Sequence, residues 1–141
     1  MDYIIKQLSD ELVYIRWYTS PPVGSLINAQ FLHEIDQLLV KTTTPLFFIS
    51  DLRDGRIIDV RVLQQLAEYA KRPQWAGSTA FSKNPITALL VRSFKNFARV
   101  GTSKDEMQTT PEQALVYLES LKEGLTQNIN WDEVLSATKG A

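Results

Sequence analysis

Cysteine is absent from the 141 residues, which removes disulfides, thiolate zinc sites, iron–sulfur clusters and thiol nucleophiles, and permits a reducing compartment. Histidine occurs once, as His33, so multi-histidine metal sites are excluded and one imidazole remains as a general base. Charge of one sign is also missing. With 15 basic and 16 acidic side chains the net charge is -1, and no global field draws in nucleic acid or an anionic bilayer. No run approaches the ~18 apolar residues of a membrane span, and no basic segment precedes the apolar residues of the N-terminus. These absences lead us to expect a cytoplasmic, soluble protein with no nucleic-acid partner, no membrane span and no cofactor. What is present is ordinary globular material, 44% hydrophobic and 22% charged, enough for one core.

The order of elements is readable from periodicity and punctuation. Tyr3 to Leu8, a turn at Ser9-Asp10, and Glu11 to Tyr18 form an antiparallel pair, the second strand alternating Leu12, Tyr14, Arg16, Tyr18 against Val13, Ile15, Trp17. Pro21, Pro22 and Gly24 end the ladder. Apolar residues at 27, 31, 35, 38 and 39 then recur at helical spacing, with Gln30, His33 and Gln37 on the wet face. The run LFFIS before Asp51 has the length and continuity of a central strand covered on both faces. Asp59 caps a second helix with a stripe of Leu63, Leu66, Ala67 and Ala70, and residues 75 to 81 return as a strand. Asn84-Pro85 opens a third helix whose stripe we read as Ile86, Leu89, Leu90, Phe94 and Phe97, leaving Ala88 and Val91 outside it. A short strand near 106 to 109 precedes a fourth helix, signed by Thr110, Pro111 and Gln113 and stopped by Gly124.

The order ββαβαβαβα predicts an α/β domain over residues 1–124, with about five strands, a mostly parallel sheet, an N-terminal antiparallel arm and four helices. Residues 125–141 form an extension in which NINWDEVL offers at most one short helix from Asn130, which either docks on the domain or hangs free of it.

The stretch SDLRDGRIIDVRVL resembles the segment that follows the central strand in the STAS and SpoIIAA-like superfamily, the anti-sigma-factor-antagonist fold related to Sec14-like lipid carriers. The matching positions are Asp51, Leu52, Ile58, Asp59 and Leu63, and QTTPEQALVYL is similar to the family's last strand and helix, so the likeness spans roughly residues 3 to 122. The family's phosphorylatable serine falls on Val60, which has no oxygen to accept a phosphoryl group. The resemblance thus implies a non-catalytic regulatory module that binds a protein partner without a phosphoswitch there. Its partner-binding loop would comprise Asp51, Arg53, Asp54, Arg56, Asp59 and Val60.

Several constellations invite chemistry and each has a plainer reading. Asp51 and Asp54 fall at the carboxyl end of the central strand, where open α/β sheets bind ligands, but no further carboxylates are implied for magnesium. Their plainer role is to cap a helix or pair with Arg53 and Arg56; phosphoryl transfer ranks last among the readings. Residues 19 to 25 lack G-x-x-x-x-G-K and spend two positions on proline, a poor phosphate loop. His33 reads as a solvated histidine, with no serine or acid placed to form a triad. Lys83, Arg92, Lys95, Arg99 and Lys104 lie in a stretch free of acids, whereas residues 105–141 hold seven acids and two bases. The third helix is therefore a candidate interface through Val91, Arg92, Lys95 and Arg99, for a partner or for a homodimer. Trp17, Trp75, Tyr14 and Phe81 either line a pocket for an apolar small molecule such as a lipid, the runner-up function, or simply fill the core.

Overall fold

The computed structural model describes residues 1–98 and 105–136. Strands β1 (Tyr3–Gln7) and β2 (Leu12–Trp17) pair antiparallel, and β3 (Leu46–Asp51), β4 (Trp75–Phe81) and β5 (Asp105–Gln108) join in parallel, giving a sheet ordered β1-β2-β3-β4-β5. The connections carry α1 (Leu26–Lys41), α2 (Val60–Ala70) and α3 (Pro85–Ala98), followed by α4 (Pro111–Leu121) and α5 (Trp131–Ser136). Arg99 and Lys104, expected on the basic stretch, and the side chain of Phe97 lie outside the described residues.

Because the strands are laid down in sequence order across the sheet, right-handed crossovers carry α1, α2 and α3 over the same face. Their buried residues, Phe31, Ile35 and Leu39 from α1 and Val62, Leu66 and Tyr69 from α2, meet Val13, Ile15, Trp17, Phe48 and Trp75. The other face packs Leu12, Tyr14, Ile49 and Phe81 under Ala114 and Leu118 of α4 and under Leu125 and Val134 of the C-terminal segment. The period of two along the strands produces this division, broken once in β4, where a register shift against Leu46 and Phe47 puts Trp75 and Phe81 on opposite faces. Within the C-terminal segment α5 packs on the second core layer through Val134 and makes a fifth helix among the described residues, where the sequence alone left docking open.

The caps act at the expected positions. Asp59 accepts from the Arg61 amide, Asn84 from the Ile86 amide at 2.9 Å, and Thr110 from the Gln113 amide, while the Gln113 side chain reaches back to the Thr109 amide at 3.1 Å. The stripe of α3 differs from the expectation. Ile86 and Leu89 are 62% and 58% exposed, whereas Thr87 is sealed, and Val91 and Phe94 pack on the core. Counting hydrophobic side chains favoured a stripe through residues 86 and 89, but the helix is turned so that positions 87, 91 and 94 face the sheet. The sequence pattern misleads there because Thr87 is polar and still points inward.

Two loops at the carboxyl edge of the sheet are locked together. The Gly24 amide donates to Asp59 Oδ2 at 3.0 Å, the Arg56 amide to Ser20 Oγ at 3.2 Å, and a β-carbon on Gly55 would sit 2.2 Å from the Thr19 carbonyl oxygen. The obstacle is backbone and cannot rotate away. Gly55→Ala is expected to cost about 1–3 kcal/mol in a denaturant melt, the usual scale of forced overpacking; an unchanged midpoint would show that the two loops are free to separate.

Candidate functional site

The expected site residues divide between the two faces of the sheet. Adjacent strand positions point in opposite directions, so Ser50 and Asp51, or Trp17 and Arg16, belong to different compartments.

On the face of α4 and α5 sits a charged cluster around Asp51. Its side chain has no solvent exposure and accepts from Tyr14 Oη at 2.6 Å, from the Arg53 amide at 3.2 Å, and from Arg53 Nε and a terminal guanidinium nitrogen at 2.9 and 2.6 Å. Arg16 Nε stands 3.7 Å from the same carboxylate, and Arg16 also donates to Asp54 at 2.8 Å. Both arginines reach the Leu135 carbonyl of α5, at 2.7 Å from Arg53 and 3.4 Å from Arg16. Burial, and then the bond to Asp51, hold the Tyr14 hydroxyl well above its usual range. The bond to Asp51 raises Arg53 in turn, against the opposing pull of burial.

The pairing differs in part from the expectation. Asp51 does meet Arg53, but Asp54 pairs with Arg16, and Arg56 lies on the other face of the sheet, lining the cavity. Sequence reasoning placed Arg16 in the strand and assigned it no role. An arginine in an otherwise apolar buried strand demands a carboxylate partner, and that was the available signal.

On the face of α1, α2 and α3 lies a cavity of about 100 Å³. Its walls include Trp17, Phe31, Phe48, Trp75 and Phe94, with Phe48 stacked on Trp75 at 4.4 Å between ring centroids and Trp17 tilted against Phe31 at 4.8 Å. Trp17 and Trp75 were both expected here. Tyr14 and Phe81 are corrected: both face the second core layer, Tyr14 because its parity in β2 is opposite to that of Trp17, and Phe81 because the extra residue that shifts the β3–β4 register between Trp75 and Gly77 reverses the facing of the rest of β4. Of the described residues expected on an outer face of α3, Val91 and Lys95 instead line this cavity, Lys95 paired with Glu106 at 3.2 Å, and Arg92 is exposed.

The polar groups of the cavity gather at two ends. At one end Asp105 is buried and accepts from Trp75 Nε1 at 3.1 Å and Ser78 Oγ at 2.6 Å. At the other, toward the carboxyl edge of the strands, stand Ser50, Arg56 and Thr87. The Thr87 hydroxyl oxygen and Arg56 Nε are both buried without a hydrogen-bond partner among the described residues.

His33 lies at the surface of α1 beside Gln30, Glu34 and Gln37, in the solvated company expected of it. Among the described residues no three histidine, aspartate or glutamate side chains converge as a metal site, and no helix is long and apolar enough to cross a membrane. No protein-family model matches the sequence, and no curated protein matches it.

Proposed function

We propose that this chain is a non-catalytic binding module of the SpoIIAA-like kind, engaging a protein partner through the carboxyl edge of its sheet. The observation that carries the reading is where large apolar side chains meet solvent. Val23 and Leu26 flank the start of α1, Ile58 and Val60 the start of α2, and Ile86 and Leu89 lie at the start of α3, all between 38% and 86% exposed. The three parallel connections place these helix starts at the same edge. Soluble proteins seldom gather apolar side chains at one edge without something to cover them.

The chemistry of the loop supports binding over turnover. Asp51 is sealed and its oxygens are taken, so it has no route to a substrate, and Asp54 is engaged by Arg16. Val60 stands exposed at the first position of α2 and offers methyl groups where the resembled family offers a hydroxyl, which fits a partner bound constitutively.

Leu26→Glu combined with Val60→Glu tests this reading. Both positions are exposed, so the melting temperature should hold within a few degrees, while a partner co-purified from the native host at fixed stoichiometry should be lost. A partner retained by the doubly charged variant overturns the assignment of this edge. If sedimentation instead shows a wild-type dimer that the variant abolishes, the occupant is a second copy of the chain.

A second reading is favoured by the cavity itself. Trp17 and Trp75 border an apolar space lined also by buried polar atoms that have no partner among the described residues, the arrangement expected of a small-molecule carrier or sensor.

A further inference from the structure

Three features of the cavity restrict what it could hold. Its volume of about 100 Å³ is below the roughly 300–1,000 Å³ of sites for drug-sized ligands and close to the ~150 Å³ of an engineered apolar cavity that takes up benzene. Long acyl chains are therefore too large, and one ring is the right scale. The walls are aromatic, Trp17 in contact with Phe31, and Trp75 with Phe48 and Phe94, so aromatic surface is presented to a flat guest.

The third feature is polarity. Thr87 has no exposed surface and its hydroxyl finds no partner among the described residues, a state native interiors seldom tolerate without a ligand or an ordered water. Arg56 lines the same end and its Nε is also buried and unpartnered, whereas the charges at the opposite end are matched: Lys95 by Glu106, and Asp105 by two donors. An anion is thus attracted to the end holding Arg56 and Thr87 and repelled from the end holding Asp105. A guanidinium with a neighbouring hydroxyl donor matches a carboxylate, which accepts at both oxygens.

Resting on the small-molecule reading above, we infer that the cavity binds a small aryl carboxylate. Its ring lies among Trp17, Phe48, Trp75 and Phe94, and its carboxylate accepts from Arg56 and from the Thr87 hydroxyl. The Ser50 hydroxyl, at the carboxyl end of β3, is positioned to act as a further donor.

The test titrates the full chain with benzoate, phenylacetate, the neutral benzyl alcohol and hexanoate, reading tryptophan fluorescence and calorimetric heat. The expected result is saturable binding of an aryl carboxylate at least ten times tighter than benzyl alcohol. Arg56→Gln and Thr87→Val should each weaken the carboxylate by about ten-fold or more and leave benzyl alcohol unchanged. Arg56→Lys, which keeps the charge, should retain part of the affinity. Thr87→Val conserves shape, and Arg56 is only partly buried, so melting temperatures can be matched to wild type before the affinities are compared.

Benzyl alcohol and benzoate binding equally would overturn the carboxylate assignment while leaving a small-molecule cavity in place. Hexanoate binding as well as benzoate would overturn the aromatic preference. If no probe binds, Thr87 and Arg56 are satisfied by water, and the small-molecule reading fails together with this one.

Discussion

Asp51→Asn is expected to lower stability by about 2–4 kcal/mol. Removing one member of a buried ion pair leaves an uncompensated charge, commonly at a cost of about 3–5 kcal/mol. Here Arg53 is 36% exposed and regains some hydration, which moves the expectation down; Arg16 is only 10% exposed and regains little. The amide would also turn an NH₂ group toward two guanidiniums where an acceptor stood. Asp54→Asn provides the comparison. Asp54 is 46% exposed, so its bond to Arg16 should be worth less than about 1 kcal/mol. Denaturant melts of the two variants decide the matter, and equal losses would mean that the cluster is not organised around Asp51.

Removal of residues 123–141 is expected to be at least as damaging. Leu125 and Val134 are almost fully buried against the second core layer, and each such side chain contributes roughly 1.5–3 kcal/mol on burial. The loss would uncover Leu12, Tyr14, Phe81 and Leu118 and take from Arg53 and Arg16 the Leu135 carbonyl they share. A fall of roughly 10 °C or more in Tm, or loss of the cooperative transition altogether, is the expected reading. Val134→Asp should act in the same direction by burying a charge. A truncated chain that melts like the full one would show that α5 rests on the surface without holding the core.

The fold was largely legible because its signals are local. Asn84-Pro85, Thr110-Pro111 and Asp59 mark helix starts by capping chemistry that owes nothing to distant residues, and the unbroken run before Asp51 marked β3 as the strand in the middle of the sheet. Which side of α3 faces inward was not legible. Ile86 and Leu89 outscore Thr87 in hydrophobicity, and only the position of the helix on the sheet decides which of them is covered.

The candidate site was legible as a set of residues and not as an arrangement. Asp51, Arg53 and Asp54 were found, yet their partner Arg16 is some 35 residues away, across the register between β2 and β3. Trp17 and Trp75 border one cavity, while Tyr14 and Phe81 were drawn in with them for being aromatic; strand parity separates Tyr14 from Trp17, but Phe81 shares the parity of Trp75 and only the register shift in β4 turns it to the other face. Thr87 carried no signal at all. A buried threonine resembles any other threonine until the atoms around it are known to offer it nothing.

The one-directional order of the strands has a consequence for how this molecule can change. A single layer of peptide separates an ionic lock from an aromatic chamber, and neighbours along the chain, Ser50 with Asp51 or Arg16 with Trp17, serve opposite sides of that partition. The chamber could be recut for a different guest while the lock kept its composition. Insertion of one residue into β3 would instead exchange the two sides, driving the carboxylate among the indoles and a serine toward the guanidiniums.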